Sequence, residues 1–355
     1  MYKKKNYFIL LTFLLFLLSI ELFSIILIKL KLLPKFLPPV VTLYAHKEYS
    51  YWHPINKKLK ISTLCWESEV EFNSLGIKSS SEFSIKKTKP RIGILGDSMT
   101  ENIQLNNNQD FSYKLQNKLK NFEIINFSVA STGLADQIDI YEILITKFDL
   151  DYIFLFITEN DFEDNHINNR RPNRIAYKIV DGNIIKIDRD KKFFEDYFSE
   201  FNIFKRKYFI HLKEFNSYNL FFYLKEKIPL SIANNKGGAL YNNNDYVNNF
   251  EEKKIIYRYL SQELLRKIEN NQKLLVFFNI NNNSFMFETE ERKIMKKVWE
   301  PTVVNDPMNE SINLLKKMNK LYFPFMGHTC DTHYSNIGAE FLSNYVTQEF
   351  LKLKN

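Results

Sequence analysis

One short stretch, residues 91–101, limits the fold of this chain more than any other. Its apolar run at 92–95 has the length of a buried strand, and the run breaks at Gly96. Asp97 and Ser98 then stand where a helix would begin. A serine at the carboxyl end of a strand, beside the start of a helix, lies where open α/β sheets bind their ligands.

Strands and helices alternate after this stretch. Apolar patterns predict strands at residues 92–95, 122–129, 152–157, 274–280 and 320–325. They predict helices at residues 111–120, 135–148, 253–270, 309–318 and 338–351. Strands that alternate with helices favour an α/β fold, in which a parallel sheet is covered by helices on both faces.

Residues 162–250 interrupt this alternation and are predicted to form an insertion. Asp181 and Gly182 separate two alternating runs within residues 177–187, which predicts a β-hairpin. Residues 193–227 are rich in aromatic side chains and are predicted to be helical, whereas the Asn-rich residues 234–249 favour a flexible loop. Because the insertion follows the third strand, we expect it to cover the carboxyl edge of the sheet as a cap that shapes substrate choice.

The chain is expected to have three regions: a tail and membrane anchor at residues 1–35, an irregular lead-in at 36–90, and the main domain at 91–355. Residues 7–28 are apolar except for Thr12, Ser19, Glu21 and Ser24. At about 1.5 Å per residue they reach roughly 33 Å, enough to cross a hydrocarbon core of about 30 Å. No small-residue cleavage site follows, so the pattern favours an uncleaved anchor over a signal peptide.

The lysines around the apolar run give a slight preference for its orientation. Three lysines and the terminal amine precede the run, and three lysines follow it by residue 35. The positive-inside rule then favours a cytoplasmic N-terminus, a single span in the cytoplasmic (inner) membrane, and a main domain facing the periplasm or the outside. Glu21 could mark a membrane partner helix, although an isolated acid near one end of a span is more often only tolerated.

Charge and cysteine content exclude some functions. The formal net charge is +8, and six lysines and one glutamate in residues 1–35 supply +5 of it. The rest of the chain therefore lacks the basic surface typical of nucleic-acid binding. The two cysteines, Cys65 and Cys330, have no metal-binding spacing, and a disulfide between them would need an oxidising compartment.

Several polar stretches stand at or after predicted strand ends. Residues 126–133 end the second strand in small side chains that let backbone amides, such as that of Ser131, approach a ligand. Asn160 follows the third strand with a side-chain amide. Near the C-terminus, Asp331 stands two residues before His333. A histidine can act as a base at neutral pH, a carboxylate can fix its tautomer, and a serine hydroxyl such as that of Ser98 needs such a base.

Together these stretches resemble the SGNH, or GDSL-type, hydrolase superfamily. Residues 96–98, 126–133, 158–161 and 331–338 are similar to its first, second, third and last sequence blocks. The resemblance covers about residue 92 to the C-terminus and implies a three-layer α/β/α, flavodoxin-like fold. It also implies Ser98 as nucleophile, His333 as base, Asp331 as the residue that orients it, and Ser131 and Asn160 as oxyanion donors. It calls for no cofactor and no metal.

Three positions depart from the pattern of this superfamily. Ser131 stands where the second block has a glycine, and Thr158 stands where the third block has one. The last block has one residue between Asp331 and His333 where two are commoner, a form found in SGNH-like proteins that modify polysaccharides. An amide hydrogen is required at the second block, so Ser131 can serve if its backbone conformation is allowed.

Each piece also has a plain structural interpretation. Gly-Asp-Ser is a common strand-to-helix turn, residues 160–165 could form a solvated acidic turn or a weak cation loop, and residues 331–333 could cap the last helix through Ser335. The remaining histidines lack a comparable partner and are predicted to lie at the surface: His46, His53, His166, His211 and His328. His328 is the nearest rival to His333 but lacks the carboxylate spacing.

These observations leave three functions open. The first is a membrane-anchored serine esterase that removes acyl groups, acetyl foremost, from a cell-surface glycan or a small ester. The second is an O-acyltransferase with the same Ser-His-Asp site, in which a cap excludes water so that a sugar hydroxyl takes the acyl group. The third is a catalytically silent glycan-binding domain, suggested by the two missing glycines. Dinucleotide binding is disfavoured because residues 92–100 lack Gly-x-Gly-x-x-Gly.

Overall fold

The main domain is built on a five-stranded parallel sheet. The computed structural model describes residues 2–30, 32–33, 43–63, 66–200, 202–203, 216–218, 220–221, 224, 243–268, 271–280, 288–300, 302–317 and 333–354. The strands of the sheet are β5 Arg91–Leu95, β6 Glu123–Asn126, β7 Tyr152–Ile157, β10 Lys273–Phe278 and β11 Val303–Asn305, and the short strands β1–β4, β8 and β9 lie outside it.

The order of the strands is β11-β10-β7-β5-β6. Numbered along the chain within this sheet, that order is 2-1-3-4-5, which is the flavodoxin-like arrangement. The connection direction reverses between β5 and β7, and ligands of such sheets bind beyond the carboxyl ends of the strands at this point. Ser98 follows β5 and Asn160 follows β7, so both residues lie beside the reversal.

Helices cover both faces of the sheet. Alternate residues of β7 point to opposite faces, and all but the first, Tyr152, are buried. One face packs against helices Leu134–Ile143, Asn243–Lys267 and Glu290–Trp299. The other packs against helices Phe111–Lys118, Met308–Lys317 and Asn336–Lys354. The predicted α/β fold with a three-layer architecture is therefore confirmed.

The predicted and observed elements differ in the second half of the main domain. The fifth strand of the sheet is β11, which we did not predict because its three residues are too few to show a pattern. The predicted strand at 320–325 lies outside the described residues. The helix Glu290–Trp299 was also missed, although its apolar residues follow helical spacing.

The lead-in was predicted to be irregular. The structure instead shows two antiparallel hairpins in it. Strands β1 Tyr44–His46 and β2 Ser50–Trp52 form the first, and β3 Lys57–Ser62 and β4 Glu67–Phe72 form the second. Trp52 packs into the core of the main domain, with its indole Nε1 donating to the Leu75 carbonyl at 2.8 Å. The short strands and mixed charges of this region hid the pairing, because the partners are not set by a local pattern.

The insertion contains the predicted hairpin, which follows a short 3₁₀ turn at Ile167–Asn169. Strands β8 Ala176–Val180 and β9 Asn183–Ile187 pair across Asp181 and Gly182, whose φ angles are 50° and 78°. Two left-handed residues in a two-residue turn match the right-handed twist of the strands. A helix, Lys191–Tyr197, follows. The long helix of the insertion begins at Asn243, inside the stretch expected to be a loop.

The N-terminal helix spans Tyr2–Lys29. Among the described residues, its part Tyr7–Lys29 is the one helix long and apolar enough to cross a membrane, and a signal sequence would meet the same criterion. The Glu21 carboxylate accepts hydrogen bonds at 2.8 Å from the backbone amides of Asn216 and Ser217, so it contacts the protein's own insertion. Cys65 and Cys330 lie outside the described residues, and their pairing stays a prediction.

Candidate active site

Ser98 is the first residue of a four-residue helix, Ser98–Glu101, at the end of β5. Asp97 caps this helix, with its Oδ1 accepting from the Met99 amide at 3.0 Å. A Cβ on Gly96 would lie 2.7 Å from Thr100 Oγ1, so only glycine lets the helix start this close to the strand. Ser98 is half-buried, which leaves its hydroxyl accessible at the carboxyl edge of the sheet.

Four of the five predicted site residues meet in one cavity. Ser98, Ser131, Asn160 and His333 line a cavity of about 610 Å³ at this edge. Ser98 and His333 are far apart in the sequence of the main domain, and the fold brings them to the same cavity. The fifth residue, Asp331, lies outside the described residues, and its orienting role stays a prediction.

His333 is held in place through the residue after it. The Tyr334 side chain is buried, and its hydroxyl accepts a hydrogen bond from the Ile280 amide at 2.8 Å. The Tyr334 carbonyl accepts from Asn102 Nδ2 at 3.1 Å, and Asn102 is the C-cap of the helix that begins at Ser98. Tyr334 therefore joins the histidine segment to the serine helix. Burial raises the pKa of the Tyr334 hydroxyl, which keeps it neutral.

Ser131 adopts the left-handed backbone conformation that the missing glycine would favour. Its φ is +64°, so a serine is accommodated there at some conformational cost. Its carbonyl accepts from Arg174 Nε at 2.6 Å, and its hydroxyl accepts from an Arg171 nitrogen at 3.0 Å. Both arginines belong to the insertion. The insertion therefore fixes the turn that would carry an oxyanion donor.

Asn160 lies exposed on a short 3₁₀ turn after β7. Its side-chain Nδ2 donates to Asp97 Oδ2 at 3.3 Å and to Asp164 Oδ2 at 2.9 Å. The turn itself is closed by the Thr158 amide, which donates to Asp161 Oδ2 at 2.8 Å. To bind an oxyanion, Asn160 would exchange one of its two carboxylate contacts for the substrate oxygen.

Buried acids surround the turn that carries Ser98. Burial raises the pKa of Asp161 well above the usual range, and the nearby carboxylates of Asp97 and Asp164 raise it further. Burial also raises the pKa of Asp97, although the Met99 amide and the positive charge of His333 act in the opposite direction.

Two of the histidines predicted to lie at the surface are buried instead. His53 pairs with Glu101 at 2.8 Å, and His166 pairs with Glu252 at 3.1 Å. The prediction failed because each carboxylate partner is distant in sequence. His46 is partly exposed and stacks on Tyr49, whereas His211 and His328 lie outside the described residues.

The insertion supplies part of the cavity lining that the sequence did not identify, and Lys253 follows it on the helix Asn243–Lys267. Lys253 pairs with Glu163 at 2.5 Å, and Arg174 pairs with Asp164 at 3.3 Å. Phe162 and Phe250 add apolar surface and lie with their ring centroids 5.3 Å apart. Arg174 and Phe250 of the insertion line the cavity beside Ser98. The pairing of Lys253 with Glu163 gave no local signal because the two residues are 90 apart in the sequence.

No protein-family model and no curated protein match this chain. Among solved structures, the chain is similar to an acetyl xylan esterase, AlAXEase, with 13% identity, a TM-score of 0.40, and 73% of this chain and 98% of that chain covered. It is also similar to a member of the lipolytic protein G-D-S-L family from Veillonella parvula, with 9% identity, a TM-score of 0.37, and 74% and 98% covered. TesA shares 10% identity, with a TM-score of 0.36 and 74% and 99% covered. These scores are too low to assign an activity.

Proposed function

We propose that this chain is a serine esterase of the SGNH (GDSL-type) superfamily that removes O-acyl groups, acetyl foremost, from a glycan. The observation that carries the proposal is that Ser98 and His333 line the same cavity, together with Ser131 and Asn160. A nucleophile, a base and two groups that can donate to an oxyanion are the parts that acyl transfer needs.

In the proposed reaction, Ser98 Oγ attacks the acyl carbonyl while His333 takes the hydroxyl proton. The carbonyl oxygen becomes an oxyanion, which accepts hydrogen bonds from the Ser131 amide and the Asn160 side chain. When the C–O bond to the sugar breaks, His333 returns the proton to the leaving sugar oxygen. Water then attacks the acyl carbon while His333 takes its proton, the bond to Ser98 Oγ breaks, the acid leaves, and His333 returns the proton to Oγ, with Asp331 orienting the imidazole.

The shape and lining of the cavity support a sugar ester as the substrate. The lining combines paired charges, such as Lys253 with Glu163, with the apolar rings of Phe162 and Phe250. Polar groups can bind sugar hydroxyls, and aromatic rings can pack against the apolar face of a sugar. A volume of about 610 Å³ is large enough for one or two sugar units with an acyl group.

A fluorophosphonate probe and hydrolysis of 4-nitrophenyl acetate test this function. We expect the full chain to be labelled and active, and the Ser98→Ala and His333→Ala variants to lose both properties while keeping a wild-type circular dichroism spectrum. His328→Ala, the rival base, should behave as wild type. Labelling that persists in folded Ser98→Ala would refute the mechanism. A wild type that binds acetylated glycan without label or turnover would indicate a silent binding domain.

We further propose that the N-terminal helix anchors the protein in the cytoplasmic membrane with the main domain outside. The apolar stretch Tyr7–Lys29 and the lysines before it motivate this topology. Alkaline phosphatase fused after residue 45 should be active, because that enzyme needs an oxidising compartment. Activity only from a cytoplasmic reporter at the same position would reverse the topology.

A further inference from the structure

A buried pair of side chains outside the proposed catalytic residues reaches the Ser131 turn. Glu101 ends the helix that begins at Ser98, and its side chain is fully buried. One carboxylate oxygen, Oε2, accepts a hydrogen bond from the Ala130 amide at 2.6 Å. The other, Oε1, lies 2.8 Å from Nε2 of His53, a buried residue of the lead-in.

The hydrogen-bond partners of His53 fix where its hydrogens are. Its Nδ1 lies 2.9 Å from the Gly76 carbonyl oxygen, which can only accept, so Nδ1 must carry a hydrogen. The contact between Nε2 and Glu101 Oε1 also needs a hydrogen, whichever of the two atoms carries it. His53 and Glu101 therefore share one proton and leave none of these polar atoms unsatisfied.

Ala130 stands directly before Ser131, whose amide is the proposed oxyanion donor. The peptide on the N-terminal side of Ala130 is held by Glu101, and the Ser131 carbonyl is held by Arg174 at 2.6 Å. The peptide that carries the Ser131 amide thus lies between two anchored peptides. An oxyanion donor is effective only when it is held within about 0.5 Å of its productive position, so these two anchored peptides set where the Ser131 amide points.

We propose that Glu101 and His53 are positioning residues for the oxyanion site, and that the lead-in is thereby part of the catalytic apparatus. The inference rests on the proposed function, because it assigns a task to Ser131. It also links the nucleophile helix to the donor turn through a single carboxylate, so that Ser98 and the Ser131 amide keep a fixed separation.

The pair could instead stabilise the fold without affecting catalysis, and a conservative variant separates the two roles. In Glu101→Gln, the amide oxygen can accept from Ala130 and the amide nitrogen can donate to His53 Nε2, so every hydrogen bond is retained. In Glu101→Ala, both are lost. Glu252→Ala is the control, because it breaks the pair that buried His166 makes with the partly exposed Glu252, and Glu252 has no described hydrogen bond to the Ser131 turn.

The experiment measures kcat and KM of the full-length variants on 4-nitrophenyl acetate, with hydrogen exchange of the Ala130 amide as a readout independent of activity. We expect Glu101→Ala to lower kcat by about 10–100-fold with KM little changed, and to speed exchange at Ala130. Glu101→Gln should stay within about threefold of wild type in kcat and keep the amide protected. Glu252→Ala should leave kcat unchanged.

Three outcomes would overturn the inference. A folded Glu101→Ala protein with wild-type kcat, beside an inactive Ser98→Ala, would remove the positioning role while leaving the proposed function intact. Rapid exchange of the Ala130 amide in the wild type would show that the hydrogen bond does not hold the turn. A wild type with neither turnover nor Ser98 labelling would refute the proposed function itself and this inference with it.

Discussion

The two turns that carry Ser98 and Ser131 border the same cavity but are held in different ways. The Ser98 turn depends on its own neighbours, because Asp97 caps the helix and Gly96 makes room for Thr100. The Ser131 turn depends on residues far along the chain, namely Glu101 on one side and Arg174 on the other.

The two turns should therefore respond differently to mutation. The Ser98 turn can form from residues next to it in the sequence, whereas the Ser131 turn can reach its observed conformation only when distant parts of the domain have folded. Changes in the insertion should therefore damage the donor turn and leave the serine turn intact.

The largest effect is expected from the buried arginine of the donor turn. Arg174→Met removes the hydrogen bond to the Ser131 carbonyl and the ion pair with Asp164. It also removes a positive charge that lies 3.9 Å from the buried Asp136 carboxylate. Breaking a buried pair in this way should lower the free energy of unfolding by about 3–5 kcal/mol, measured by urea denaturation. The neighbouring Arg170→Met is the control and should change it by about 0.5 kcal/mol or less. Equal losses in both variants would show that Arg174 has no special role.

A smaller loss is expected from the side-chain donor. Asn160→Ala should reduce kcat by roughly 10²–10³-fold, as removal of one oxyanion donor does elsewhere. Asn160 is exposed, so the fold should be unaffected, and urea denaturation of the same samples would check this. Turnover close to that of the wild type would mean that the third-block assignment is wrong.

The free energy of unfolding should depend on pH through Asp136, a buried acid that accepts a hydrogen bond from the Gly133 amide next to the Ser131 turn. Burial raises the pKa of Asp136 to about 6, although Arg174 and Arg189 lower it. The folded state then binds a proton at Asp136 more tightly than the unfolded state does. The stabilisation that this proton gives is complete below about pH 4 and is lost as the pH rises through about 6.

Asp136→Asn should remove this dependence. Relative to the wild type, the variant should gain about 2–3 kcal/mol of stability between pH 4 and pH 7. Denaturation at the two pH values measures the change, and Asp188→Asn, whose side chain is 84% exposed, is the control. The same difference between Asp136→Asn and wild type at both pH values would contradict the raised pKa.

The smallest effect is expected at the strained serine itself. Ser131→Gly relieves the left-handed conformation but loses the bond to Arg171, so the unfolding free energy should rise by about 1 kcal/mol or less. Ser131→Ala loses the same bond without relieving the strain and should be less stable than Ser131→Gly. The reverse order would show that the hydroxyl contact matters more than the backbone.

Local patterns predicted the sheet and the nucleophile turn. The strand at 152–157 matches β7, and the turn at Asp181 and Gly182 joins the predicted strands, because periodicity and turn chemistry act over a few residues. The strand order was implied only by the resemblance, and the structure confirms it.

Long-range support could not be predicted in this way. His53 and Glu101 are 48 residues apart, and Arg174 and Ser131 are 43 apart, so neither pairing leaves a periodic signal in the sequence. The hairpins of the lead-in are local pairings and were missed because their strands are only three to six residues long. The sequence analysis selected four residues that line one cavity, whereas the contacts of Glu101 and Arg174 with the Ser131 turn emerged only from the fold.

The most direct test of the account is whether Ser98 and His333 act as one unit. Turnover of 4-nitrophenyl acetate by Ser98→Ala, His333→Ala and the double variant measures this. Either single change should reduce kcat on the order of 10⁴–10⁶-fold, and the double variant should be little worse, because residues that act together are strongly non-additive. Asp331→Asn should be comparable or milder. Losses that multiply in the double variant, or substantial turnover in folded His333→Ala, would contradict the account.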